Sequence, residues 1–181
     1  MKQITLILLL CCTMRGFSQA PVEITPQKLK QIETRVNQDI ELTKARLKAE
    51  DWSPEQREYI VDTMRIERLF AATIEIDYST AGMVNAGYEA RQQYDVLLNK
   101  YYKKLMAILK GDDKNTLVQA QKAWLAFRDA EFKLIGIVSK EEYSGGGTMQ
   151  SLIDSAQFLA IVKQRTQELF DHLTRTIRQE Q

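Results

Sequence analysis

Apolar positions recur along this chain at steps of three and four residues, and no stretch shows the alternation of a strand. The spacing predicts a first helix from Thr25 at the N-cap and Pro26 at the first helical position to about Glu50, with Leu29, Ile32, Val36 and Ile40 as its stripe. Asp51-Trp52 turns the chain, and Ser53-Pro-Glu-Gln56 is a capping box that starts a second helix. That helix carries Ile60, Met64, Ile66, Phe70 and Ile74, to about Tyr78. A third begins near Ser79-Thr80, weakened in its first turns by Gly82 and Gly87, and its seam is Tyr94, Leu98, Tyr101, Leu105 and Ile108. Gly111-Asp-Asp113 ends it and starts a fourth helix that reaches about Ser139. Lys140 to Thr148 is the one glycine-rich loop, and the last helix runs from about Met149 to Thr176 on Leu152, Ala156, Leu159, Val162, Thr166, Leu169 and Leu173. The expectation is an all-α antiparallel bundle of about five helices with short links.

The fourth helix has an unusual feature. Val118, Leu125, Phe132 and Ile135 make one apolar stripe, and Ala120, Trp124, Phe127 and Leu134 the next. Gln121 and Arg128 fall in the gaps of the first, Glu131 in the gap of the second. A helix that buries both stripes takes Arg128 and Glu131 with it, and an unpaired buried charge costs several kcal/mol. A pair three residues apart can partly neutralise itself.

The first residues change the picture of where the protein acts. Lys2 precedes an apolar run from Ile4 to Cys12, and Gly16-Phe17-Ser18 has the small-x-small form of a cleavage site. Residues 1–18 read as a signal peptide and the mature chain as starting near Gln19; Ser18-Gln19-Ala20 also fits but leaves Pro21 after the cut. The run is too short to stay as an anchor. Cys11 and Cys12 lie inside it and lack the small preceding residue of a lipidated cysteine. The expected product is an exported, periplasmic or extracellular protein without disulfides and without stable membrane insertion, with a lipid-anchored form as the less favoured alternative. With 25 basic and 24 acidic residues, the charge balance offers nothing for nucleic acid.

The inventory for catalysis is thin. The single histidine, His172, sits near the end of the last helix, where a cation suits the helix dipole. Without a mature cysteine and with one histidine, neither a nucleophilic triad nor a transition-metal site is expected, and no cofactor is. Nothing in the spacing selects a catalytic pair from Glu75 with Asp77 or Glu141 with Glu142. Gly145-Gly146-Gly147 lacks the Lys-Ser/Thr ending of a phosphate loop. It reads as a flexible turn with Thr148 as N-cap, as a recognition loop in which Tyr143 is a contact residue, or as both. Trp124 and its neighbours read as core or as binding surface. Arg128 and Glu131 read as a structural network, or as props for the loop through an Arg128 contact to Tyr143–Thr148, with Arg165 in a similar role.

From about Tyr78 to Phe170 the chain resembles the LprI-like lysozyme-inhibitor domain family of small exported helical domains. The resemblance rests on Met83 with Asp95; Leu98-Asn-Lys-Tyr-Tyr-Lys-Lys-Leu105; Gln119-x4-Trp124-x3-Arg128-Asp129-x-Glu131; Tyr143-Ser-Gly-Gly-Gly-Thr148; and Lys163-Gln-Arg165-Thr-x-Glu-Leu169. It departs from the family where many members carry cysteines, since Ala86, Gln157 and Phe132 stand at or near those places. Each missing staple would be worth about 2–4 kcal/mol, for which an N-terminal hairpin over residues 19–78 could compensate by covering the family unit of residues 79–181. The resemblance implies a non-catalytic lysozyme inhibitor whose partner-binding residues are Glu141, Glu142, Tyr143, Ser144, Gly145, Gly146, Gly147 and Thr148. Trp124, Arg128, Asp129, Glu131 and Arg165 would support them. The competing expectation is a periplasmic helical adaptor that binds another envelope protein through an apolar patch near Trp52, Tyr59 and Phe70.

Overall fold

The computed structural model describes residues 20–177, and the signal-peptide reading of residues 1–18 lies outside them. Six helices follow one another: α1 (Pro26–Ala49), α2 (Pro54–Ile76), α3 (Thr80–Ile108), α4 (Asp112–Val138), α5 (Glu141–Ser144) and α6 (Thr148–Ile177). Five are long, α5 is a single turn, and there is no strand among the described residues. The caps act as their residue types require. Thr25 accepts from the Lys28 amide, Ser53 and Gln56 close a reciprocal capping box, and Ser79 accepts from the Gly82 amide.

The main core lies between α3 and α6. Tyr94, Leu98, Tyr101 and Leu105 meet Val162, Leu169, Phe170 and Leu173, with Ile66 from α2 and Leu117 from α4. The two helices run parallel, since Ser155 donates to the Val84 carbonyl at 3.1 Å and Thr166 to the Tyr94 carbonyl at 3.3 Å. Each sequential link does reverse the chain as expected, but α4 takes the return path, and the most extensive pairing is therefore non-sequential and parallel. Gly87 makes the close approach possible, because a Cβ there would stand 2.2 Å from the Ser155 hydroxyl. The two glycines that weaken the first turns of α3 are thus where neighbouring groups press in, Asp77 playing the same part at Gly82.

Helix α2 joins this core to the N-terminal part. Tyr59 stacks on Phe170 with ring centroids 4.0 Å apart, and Tyr101 meets both rings edge-on at 5.4 Å. On its other side α2 packs against α1 through Ile32, Val36, Ile40 and Ala72. Leu29 is left exposed, and the α1 stripe continues instead through Thr43 and Leu47. Tyr59 and Phe70 therefore pack half-buried against the core, and of the three residues expected of an adaptor patch only Trp52 is exposed.

Helix α4 departs furthest from expectation. It buries only Leu117 and Ile135 fully, with Trp124 and Phe132 packed partly against α3 and α6. Phe127 and Leu134 face solvent at 52% and 50% exposure. One core face of a helix spans little more than a third of its circumference, so the covered face takes Phe132 and Ile135 from one stripe and Trp124 from the other and leaves Leu125, Phe127 and Leu134 exposed.

Candidate functional site

The link from α4 to α6 is an ordered tip at one end of the bundle. Ser139 caps α4 and Lys140 is extended, and then the chain makes the single turn of α5. Gly145 ends that turn in the left-handed region at φ 77°, its amide donating to the Glu141 carbonyl at 2.9 Å. Gly146 and Gly147 follow at φ 73° and 93°. Three successive positive φ values are open to glycine and costly for any side chain. Ser144 ties the tip together: its hydroxyl donates toward the Ser139 and Lys140 carbonyls at 2.8 and 3.0 Å and accepts from the Gly146 amide at 3.1 Å. Thr148 is the first residue of α6 and not its N-cap.

What the tip displays is apolar and acidic. Tyr143 is 66% exposed, Met149 is 58% exposed, and Ile153 is exposed one turn further on. Glu141 and Glu142 are exposed beside them. Periodicity does carry a signal for Met149 and Ile153, because they fall outside the stripe that α6 buries.

The support residues do not reach this tip. Arg128 lies eleven residues before Ser139 on a continuous helix, about 16 Å away. Its guanidinium binds Asp129 through Nε and Nη2 at 3.0 and 2.7 Å and faces Asp95 of α3 at 3.8 Å. The expected pairing with Glu131 gives way to Asp129 and Asp95. Arg165 is half a helix from the tip and bonds Gln121 of α4 at 3.2 Å and Glu168 at 3.0 Å. Both guanidinium groups lie against Trp124, at 5.4 Å for Arg128 and 5.9 Å for Arg165. Trp124, Arg128, Asp129 and Arg165 therefore form a clamp that fastens α4 to α3 and α6. Glu131 is half-buried on the same helix.

Asp95, Asn99, Tyr102, Trp124 and Arg128 come from three separate motifs of the sequence. They line one open groove of about 320 Å³ between α3 and α4. Other motif residues hold α2 in place. Lys100 pairs with Glu58 at 2.8 Å and with Asp62, and Lys104 with Glu58. Glu67 accepts from Tyr94 at 2.6 Å and from Lys163 at 2.5 Å. Burial alone would raise the Glu67 carboxyl, but these hydrogen bonds and the Lys163 charge outweigh it and hold it below its ordinary value of 4.5. Glu58 is lowered in the same sense by Lys100 and Lys104 against the opposing effect of burial. Burial chiefly, with Asp171 and Glu67 adding, pushes the Tyr59 phenol up to about 12.

A family model described as lysozyme inhibitor LprI matches residues 75–169, which include the clamp, the groove and the tip. The chain belongs to the LprI lysozyme-inhibitor family. No curated protein and no solved structure matches the chain. The LprI match begins at the last residues of α2, so α1 and most of α2 lie outside it. Where the resemblance places cysteines, Ala86 is buried in α3, Gln157 is exposed, and Phe132 packs on Phe158 across α4 and α6 at 4.5 Å. His172 is exposed, with Arg175 Nη2 2.6 Å from its Nδ1. No group of three potential metal-ligating side chains occurs among the described residues, and no helix among them is long and apolar enough to cross a membrane.

Proposed function

We propose that this LprI protein is exported through its first 18 residues and acts in the envelope by binding a lysozyme, not by catalysis. The inhibitory element would be the tip from Glu141 to Thr148. The observation that carries this reading is the tip itself: three glycines at positive φ, bonded into a fixed turn by Ser144, present a narrow backbone edge beside exposed Tyr143 and Met149. A slim, pre-ordered edge loses little entropy on entering a cleft, and Tyr143 brings contact area with few rotatable bonds. Glu141 and Glu142 would steer the tip toward a basic enzyme. The family match supports lysozyme as the partner. The clamp around Trp124 would hold the α4–α6 pair rigid behind the tip without touching the enzyme.

The test is a titration of the purified protein against c-type, g-type and i-type lysozymes in a cell-wall lysis assay. Stoichiometric inhibition of at least one class is expected. Replacing Gly145, Gly146 and Gly147 together by alanine should abolish it while leaving helicity unchanged. A Cβ at Gly145 or Gly147 meets nothing within 4 Å, so the strain stays in the backbone of the tip. Full inhibition by the triple variant would rule out the tip as the inhibitory element.

A further inference from the structure

The exposed face of α4 carries a regular seam. Ala120, Ala123, Phe127, Ala130, Leu134 and Ile137 recur at steps of three and four, and every one of them is exposed. Phe127, Leu134 and Ile137 are the large members, at 52%, 50% and 45% exposure. At 3.6 residues per turn the seam lies about 110° round the helix from the buried Leu117–Ile135 line and extends about 26 Å. A strict three–four repeat of this kind is the pattern of a helix that meets one other helix. No helix among the described residues fills that position.

The order of sizes along the seam identifies the occupant. Reading from Ala120, it runs small, small, large, small, large, large. Laid antiparallel on itself about a two-fold axis between Phe127 and Ala130, each small residue meets a large one. Ala120 faces Ile137 of the second copy, Ala123 faces Leu134, and Phe127 faces Ala130. Knobs meet holes along the whole length, as close packing requires. A parallel pairing would set alanine against alanine at Ala120, Ala123 and Ala130, leaving gaps, and would crowd Phe127 on Phe127. Flanking charges do not oppose the antiparallel form, since Lys133 falls opposite Ala126 and Glu131 opposite Trp124.

We infer that α4 is the two-fold interface of an antiparallel homodimer of this chain. The interface is isologous and closed, so it stops at two copies. Its length places it at the lower end of stable interfaces, and dissociation is expected within the micromolar range. The two-fold axis sets the α4–α6 tips at opposite ends of the pair, both free. The dimer does not depend on what the tips bind.

Sedimentation of the purified protein over a dilution series tests this. A mass that doubles at high micromolar concentration is expected, with Leu134→Glu monomeric throughout and as helical as the parent. A protein monomeric at every concentration, or a dimer unaffected by Leu134→Glu, overturns the inference. Register is tested with Cys11 and Cys12 replaced by serine. Ala123→Cys and Leu134→Cys chains should cross-link on oxidation when mixed, and each alone should not. Cross-linking of either alone, without the mixed product, would overturn the antiparallel arrangement.

Discussion

Gly87 and the three tip glycines illustrate two different demands on the smallest residue. At the tip the backbone requires positive φ, and at Gly87 the space is already taken by Ser155. Gly87→Ala should therefore destabilise the fold although alanine favours helices, by about 1–3 kcal/mol, because the Ser155 hydroxyl must leave the Val84 carbonyl. Urea unfolding would show the loss, and adding Ser155→Gly should recover part of it. If Gly87→Ala is neutral or stabilising, α3 and α6 are not as close as described. Both groups of glycines are visible in the sequence. Which demand each one meets was not, because Ser155 lies far along the chain from Gly87 and reaches it only through helix packing.

Helix α2 is held by ion pairs on the rim and by Tyr59, Ile66 and Phe70 in the core. Glu58 and Glu67 are both lowered in the folded protein, so they contribute stability above the unfolded value of 4.5, and that contribution fades as pH falls through their folded values. Melting temperature should fall as pH drops below 4.5, and the Glu58→Gln, Glu67→Gln double variant should show a flatter acid limb. An unchanged slope in the double variant would assign the acid loss to other carboxylates. At the alkaline side the Tyr59 phenol, raised from 10.0 to about 12, holds its contribution below pH 10 and loses it as pH rises toward 12. Helix α4 shows how an element can be predicted correctly and still be misplaced. Its boundaries and both stripes follow from periodicity, but periodicity cannot say which part of that broad apolar surface the bundle covers. The covered face falls between the two stripes, taking Trp124 from one and Phe132 and Ile135 from the other, so that Trp124 sits against Arg128 and Arg165 while Leu117 and Ile135 enter the core.

At the scale of the molecule, one core shared by α2, α3 and α6 ties the N-terminal hairpin to the family unit. Unfolding is expected to be a single transition despite the absence of cysteine staples. Tyr59→Ala removes the stack on Phe170 and the 2.5 Å hydrogen bond to Gln167, and should cost about 3 kcal/mol with an unchanged denaturant slope. Two separated transitions in that variant would mean that the hairpin and the unit fold independently. The hairpin lies mostly outside the LprI match, and its packing fits a role as added core, where disulfides would otherwise contribute.

Sequence alone determined the all-α class, the five long helices, the caps Thr25, Ser53 and Ser79, the glycine-rich tip and the LprI family, because each of these is written in local spacing or in short ordered motifs. Tertiary structure decided the parallel pairing of α3 with α6, the groove that gathers Asp95, Asn99, Tyr102, Trp124 and Arg128, the distance of Arg128 and Arg165 from the tip, and the uncovered seam on α4. These depend on which helix faces meet across long chain separations, where competing apolar stripes are equal in the sequence and only simultaneous packing chooses between them.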